Sequence, residues 1–260
     1  MTYKHLALAL AALTFVLARP AAAQTDEIQV YDAAIADRGA VNLMLHSNFT
    51  PMGRTAPDFP GGIIPQDSFN GALEWAYGVR SWFEQGLYLP VWSPYSKQRG
   101  GSIDGFKIRE LFVRPHAEDH EFFYGMNFEF SFNYHYWEPK THSAEVRPIV
   151  GVHLHGWDYI FNPIVDTDYT GGLGGLEFVP AARIARHLNP HWAVAAEEYA
   201  DFGPLRQFKP SNQQFQEVWG VVDHTGKVYS IEAGVGVGVS DGADKLTFKF
   251  MIARDLNPKG

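Results

Sequence analysis

An all-β fold, an antiparallel transmembrane β-barrel of about twelve strands, is what this sequence predicts, on three observations. The first is residues 122–136, FFYGMNFEFSFNYHY, where Phe122, Tyr124, Met126, Phe128, Phe130, Phe132, Tyr134 and Tyr136 alternate with Phe123, Gly125, Asn127, Glu129, Ser131, Asn133 and His135. Strand side chains point alternately to two faces, so this is one long strand with an apolar face and a mostly polar one. Its length suits a tilted strand that crosses a bilayer and continues beyond it, and a closed barrel supplies the polar face with water or partners. The second observation is that such alternation recurs from Ala40 to the end of the chain. The third is that the connections alternate between long and short, as in an outer-membrane barrel whose N-terminus lies in the periplasm.

Residues 1–23 read as a cleaved export signal: Lys4 is the basic start, an apolar run follows from Leu6 to Leu17, and Ala21-Ala22-Ala23 precede Gln24. Removing Lys4 and Arg19 leaves 19 basic against 29 acidic residues, so the net charge deepens from −8 to −10. That balance argues against nucleic acid as a partner. With no cysteine there is neither a disulfide framework nor thiolate chemistry. The 15% aromatic content fits strands with aromatic girdles. Residues 24–39, with the short alternating piece EIQVYD, read as a periplasmic lead-in, and residues 40–260 as the barrel.

Taken in order, Val41, Leu43, Leu45 and Phe49 mark the first strand, and Leu73, Trp75, Tyr77 and Val79 the second, with Glu74 on its other face. Residues 82–92 and 106–114 are the third and fourth. The phase of the fourth is open, because Lys107 and Arg109 alternate with Phe106 and Ile108. Residues 122–136 are the fifth. Val146, Val150, Val152 and Leu154 give the sixth, with Arg147, His153 and His155 inward. Residues 158–164 are the seventh. Leu176, Phe178, Ala182 and Ile184 give the eighth, with Glu177 and Arg183 inward. Residues 191–201 are the ninth, where Glu197 and Glu198 cannot both face the lumen without a bulge. Residues 214–222 follow, then Tyr229 to Val239 with Glu232 and three glycines inward, then Leu246 to Ile252. The last connection, 240–244, is short where the alternation asks for length.

The phrases EIQVYDAAIADRGAVNLMLHSNFT, LEFVPAARIARHLNPHWAVAAEEYADFGPL and GVGVGVSDGADKLTFKFMIARDL resemble a group of proteobacterial outer-membrane barrels labelled as transporters, near the proteins named for the meta-pathway of phenol degradation. The resemblance covers most of the mature chain, and its motifs are strand phrases rather than catalytic signatures. It implies the fold, the outer-membrane location with its lipid, and uptake of small molecules. Barrels of this kind commonly end on an aromatic residue that the barrel-assembly machinery reads; this chain instead runs on past Leu256 to Gly260.

The candidate site is the inner wall. Glu74, Glu129, Arg147, His153, His155, Glu177, Arg183, Glu197 and Glu232 are expected to line the lumen, together with Glu110 and Lys249. Such charges either pair across a narrow bore and close it, or line a water path and select by sign. The acidic excess favours cations or neutral solutes. The expectation is a channel or facilitator for a small hydrophobic, neutral or cationic solute, with no catalytic residue, cofactor or metal required. The number of copies is left open by the sequence.

Other constellations carry less. His153, His155 and Glu129 could hold a metal only if register brought them together. Thr141-His142-Ser143 has the residue types of a lipid hydrolase but lies in a loop, and a sealed structural barrel is the third alternative. Asp166, Thr167 and Asp168 read as a turn. The loop TPMGRTAPDFPGGIIPQDSF, with Ile63-Ile64, either folds inward as a constriction or is ordinary surface. Trp82, Trp92, Trp137, Trp157 and Trp192 are expected at the bilayer interfaces.

Overall fold

The computed structural model describes residues 27–96, 100–103 and 105–257; the export signal lies outside the described residues. Twelve antiparallel strands form the wall. They are β1 (Val41–Met52), β2 (Ser68–Arg80), β3 (Phe83–Tyr95), β4 (Phe106–Val113), β5 (Phe122–Phe132) and β6 (Ser143–Leu154), then β7 (Trp157–Asn162), β8 (Ala181–Asn189), β9 (Trp192–Asp201), β10 (Phe215–Thr225), β11 (Ser230–Gly238) and β12 (Leu246–Asp255). Each pairs with its neighbours in sequence, and β1 pairs with β12 from Asn42↔Asp255 to Met52↔Leu246, which closes the barrel.

Closure removes the sheet edges, and the bilayer is what makes this necessary: an unpaired backbone group in hydrocarbon costs several kcal/mol. No helix among the described residues is long and apolar enough to cross a membrane. The two ends of the barrel differ as the sequence predicts. At one end the connections are two residues each at 81–82, 155–156 and 190–191, four at 226–229 and eight at 114–121. At the other they are long, at 53–67, 133–142 and 202–214. We call these the turn end and the loop end. Trp82, Trp157 and Trp192 are exposed around the turn end.

The wall follows the alternation in the sequence. Along β5, Phe122, Tyr124 and Phe130 are exposed outward while Phe123, Asn127, Glu129 and Ser131 are buried inward. The strand stops at Phe132, four residues earlier than its pattern suggests. Tyr136 does not continue the outer face: it turns inward with Trp137, and both bury against Ile63, Ala72, Tyr88 and Val91. Ile63 N–H donates to the Tyr136 carbonyl at 2.9 Å, so the first long loop folds over the bore and binds the loop after β5. Trp137 is therefore part of an inner lid, not of an interface girdle.

Strands seven to nine break and resume. After Asn162, Pro163 has no N–H to give the ladder, and the chain detours before Val165–Thr167 pairs with β6 again. Val179-Pro180 likewise separates the two-residue strand Glu177–Phe178 from β8, and Phe202 separates Gly203–Pro204 from β9. These pieces pair with one another in the same order as the strands they extend. This is why the seventh and eighth elements fall a few residues from their sequence positions.

The segment 27–39, expected as a lead-in, packs inside the bore. Val30, Tyr31 and Ala33 are buried with Leu111, Val113, Phe123, Ile149 and Ile160, which project inward near the turn end. Phe123 leaves no room on the strand beside it: a Cβ on Gly151 would sit 2.0 Å from its ring. A Cβ on Gly236 would meet the Trp219 ring at 2.2 Å. Glycine at these two positions is what lets large rings lie flat on the wall.

Candidate functional site

Alternation and burial point the charged side chains into the lumen, where they form three groups. On β1 to β4, the Arg109 guanidinium donates to Glu74 and Glu84 at 2.6 Å each, and His46 Nε2 lies 2.9 Å from Glu74. On β8 to β12, Arg183 pairs with Glu197, Asp223 and Glu232, while Lys249 Nζ lies 2.5 Å from Glu197 and 2.6 Å from Glu232. Between them, Lys107 meets Glu129 at 3.1 Å and Arg147 meets Glu145 at 2.6 Å. Buried ions must be paired to be tolerated, and these groups meet that demand mostly across strands, with Arg147 and Glu145 pairing along β6 itself.

The inserted segment bridges the groups. Two guanidinium carbons lie over the Tyr31 ring, Arg147's 4.2 Å and Arg109's 5.5 Å from its centroid. The Tyr31 hydroxyl is 2.7 Å from that of Tyr88. Asn162 holds its backbone from both sides, accepting from Tyr31 N–H at 2.8 Å and donating to Tyr31 O at 3.0 Å. Arg147 donates to Gln29 O, Lys249 to Ile28 O, and Ala36 N–H donates to Glu84. The contacts reach β3, β4, β6, β7 and β12, so the segment crosses the lumen.

A second feature comes from register. Glu129 on β5 is opposite Glu145 on β6, Glu145 is opposite Asp166, and Asp166 is opposite Glu177. Directly opposed residues face the same side of a sheet, so one hydrogen-bonding row carries four carboxylates toward the lumen. Beside it lies a cavity of about 70 Å³. Its wall includes Glu27, Glu145, Arg147, Asp166, Asp201 and Glu217 among apolar side chains such as Ile28, Ile164, Val179 and Phe215.

Of the residues singled out from the sequence, Glu74, Glu129, Arg147, Arg183, Glu197, Glu232 and Lys249 are buried or half-buried within the lumen networks. Glu177 stands in the acidic row, apart from the Arg183 group. His153 is half-buried, 2.7 Å from Asp158 and stacked on Phe123. Two expectations are corrected. His155 is exposed in the turn after β6, at φ 51°, because the strand ends at Leu154 before a further inward position is reached. Glu110 faces outward, because Lys107, Arg109, Leu111 and Val113 take the inner face of β4. The metal trio is therefore not assembled. Glu198 also faces outward, and Glu197 alone of that pair enters the lumen, without a bulge.

Sequence reasoning missed Glu27, Glu84, Arg109, Glu145 and Asp166. Arg109 and Glu145 fall on the alternation and could have been found by extending the phases of β4 and β6. Glu27 and Asp166 carry no such signal, since one lies before the first strand and the other beyond a proline break. His142, whose ring nitrogen lies 2.9 Å from Thr141 Oγ1, meets Phe132 edge to face, and Ser143 begins β6 opposite Ser131. No serine–histidine hydrogen bond is found there among the described residues.

Outside the wall, Arg54 N–H donates to Asp244 at 2.7 Å and its guanidinium pairs with Asp58, tying the first loop to the last. Burial pushes the Asp58 carboxyl above the ordinary aspartate value, with the Arg54 charge acting against it.

No protein-family model matches the sequence, and no curated protein is similar to it in sequence. Solved structures are similar in fold. An outer-membrane channel from Pseudomonas putida F1 superposes with a TM-score of 0.63 at 11% identity, covering 88% of this chain and 100% of that one. The NanC porin superposes with a TM-score of 0.52 at 9% identity, covering 83% of this chain and 100% of that one. At these identities the likeness is one of architecture: the chain has the fold of an outer-membrane β-barrel.

Proposed function

We propose that this chain is an outer-membrane channel or facilitator that passes a small solute through a narrow, acid-lined lumen. The observation that supports it most is the opposed row Glu129, Glu145, Asp166 and Glu177 beside a cavity. Carboxylates facing one another repel; Lys107 and Arg147 offset this at Glu129 and Glu145, and Asp166 and Glu177 add further like charge to the row. Acidic walls admit cations and neutral solutes more readily than anions. The aromatic outer face contacts lipid, the signal in residues 1–23 directs export, and the barrel-assembly machinery inserts the chain. Residues 27–39 and the three charged groups narrow the bore, which makes the path selective for small molecules.

The test is single-channel conductance of the refolded mature protein in a planar bilayer, with reversal potentials in a salt gradient, repeated for Glu129→Gln and Glu177→Gln. The expected result is a cation-biased conductance whose bias falls in both variants. A folded, heat-modifiable barrel that passes no current would overturn the channel reading. It would favour the second one, a sealed structural barrel, which the packing of Tyr31 against Arg109 and Arg147 supports.

A further inference from the structure

We infer that the lumen cavity is a binding site for a small organic ammonium ion, with Glu27 as its principal carboxylate; this rests on the reading of the chain as a channel and names the class of solute.

Three observations converge on it. Glu27 is 2% exposed, lines the cavity, and neither of its carboxylate oxygens has a hydrogen-bond partner among the described residues. A buried carboxylate without a hydrogen-bond partner is costly, whereas Glu74, Glu197 and Glu232 each sit within an ion-paired group. Asp166 adds a second orphan, since its Oδ1 is buried and unbonded. The third observation is the register row, which sets Asp166 between Glu145 and Glu177 with Arg147 bonded to Glu145. A cation entering beside Glu27 and Asp166 relieves both the unpaired burial and the like-charge opposition.

The lining decides which kind of cation. Among the described residues, the one group of three or more ligand atoms lying within 4.8 Å of one another is the exposed set His116, Glu118 and Asp119, so the cavity's carboxylates do not converge on a bare metal ion. Much of the remaining wall is apolar, with Ile28, Ile164, Val179, Pro180 and Phe215. A hydrated metal ion would lose water there without replacement, whereas an alkylammonium ion presents its charge to the acids and its carbon body to that wall. At roughly 10–15 Å³ per water centre, the cavity's 70 Å³ holds about five waters, or a ligand of about five heavy atoms.

The experiment is calorimetric titration of the detergent-solubilised mature protein with n-butylammonium, its neutral isostere 1-butanol, and Mg²⁺. Glu27→Gln, Asp166→Asn and the exposed control Glu118→Gln are titrated alongside, each first confirmed folded by heat-modifiable migration. We expect n-butylammonium to bind at least about tenfold more tightly than butanol, a difference of about 1.4 kcal/mol. Glu27→Gln and Asp166→Asn should each weaken it, with Glu118→Gln unchanged. Equal binding of butanol, tighter binding of Mg²⁺, or an affinity indifferent to both lumen substitutions would overturn the site. Because the titration needs no current, a conducting barrel that fails it loses the site and keeps the channel, while a silent barrel that passes it loses the channel and keeps the site.

Discussion

The Tyr31 ring centroid lies 4.2 Å from the Arg147 guanidinium carbon, on a chain segment that is not part of the wall. A cation over an aromatic face contributes about 0.5–2 kcal/mol, the larger values when water is excluded. This contact is desolvated, and Arg109 approaches the same ring at 5.5 Å. Tyr31 is thus the anchor that holds the inserted segment across the lumen. Tyr31→Ala should free the segment and raise single-channel conductance, while Tyr31→Phe, which keeps the ring and loses only the bond to Tyr88, should leave conductance near its original level. Losing that bond should lower stability by about 1 kcal/mol; denaturant unfolding followed by gel migration measures it.

The fit of Phe123 on Gly151 leads to a second expectation. Gly151→Ala puts a methyl group where the ring already lies, so the barrel should lose about 1–3 kcal/mol. Adding Phe123→Leu should restore part of that loss, because the smaller side chain vacates the space. The comparison requires only urea midpoints for the two variants.

Lys249 bridges Glu197 and Glu232, and removing it leaves Arg183 to balance both and Asp223 as well. Lys249→Met should cost about 3–5 kcal/mol, the range for breaking a buried pair on one side. Reversal potentials should shift toward stronger cation preference. Lys249→Met with Glu232→Gln should recover stability and return the selectivity toward its starting value.

His153 and His155 should separate cleanly. His155 is exposed at a turn, so His155→Ala should stay within about 0.5 kcal/mol of the parent. His153→Ala removes the bond to Asp158 and the stack on Phe123, and should be clearly destabilising by the same unfolding assay.

The clasp between loops predicts a pH effect. Because Asp58 binds its proton more tightly in the folded barrel than in the unfolded chain, its contribution to stability falls as pH rises from the ordinary aspartate range through the raised value. Asp58→Asn should flatten the stability profile in that window. The midpoint of unfolding, read across acidic pH for both proteins, checks it.

Most of the wall is legible in the sequence because its physics is local. A strand between lipid and lumen must alternate, so the phase of β5, β11 or β12 can be read from Phe128, Val235 or Phe248 directly. Loop length separates the two ends for the same reason, since it is a property of neighbouring residues. What escapes is whatever depends on register or on a departure from the strand. Asp166 meets Glu145 and Glu177 only after the chain has detoured at Pro163, and nothing near position 166 records that. Tyr136 keeps the alternating pattern past the point where the backbone leaves the sheet, so its spacing misdirects. Residues 27–39 carry EIQVYD, which has the alternation of a short strand, yet its partners come from side chains as distant as Asn162 and Lys249.

The inserted segment also constrains the order in which the molecule is assembled. It joins β1 through Gly39, whose N–H donates to the Gly78 carbonyl, and β1 is one side of the seam with β12. Once that seam is zipped, residues 27–36 have to enter a bore already narrowed by the inward side chains of Phe123, Arg147 and Lys249. Nascent strands curling around a segment that already lies against β3 and β4 meet no such obstacle. The first residues of the folded chain then serve as the mandrel on which the barrel is wound, and the last strand to arrive locks them in.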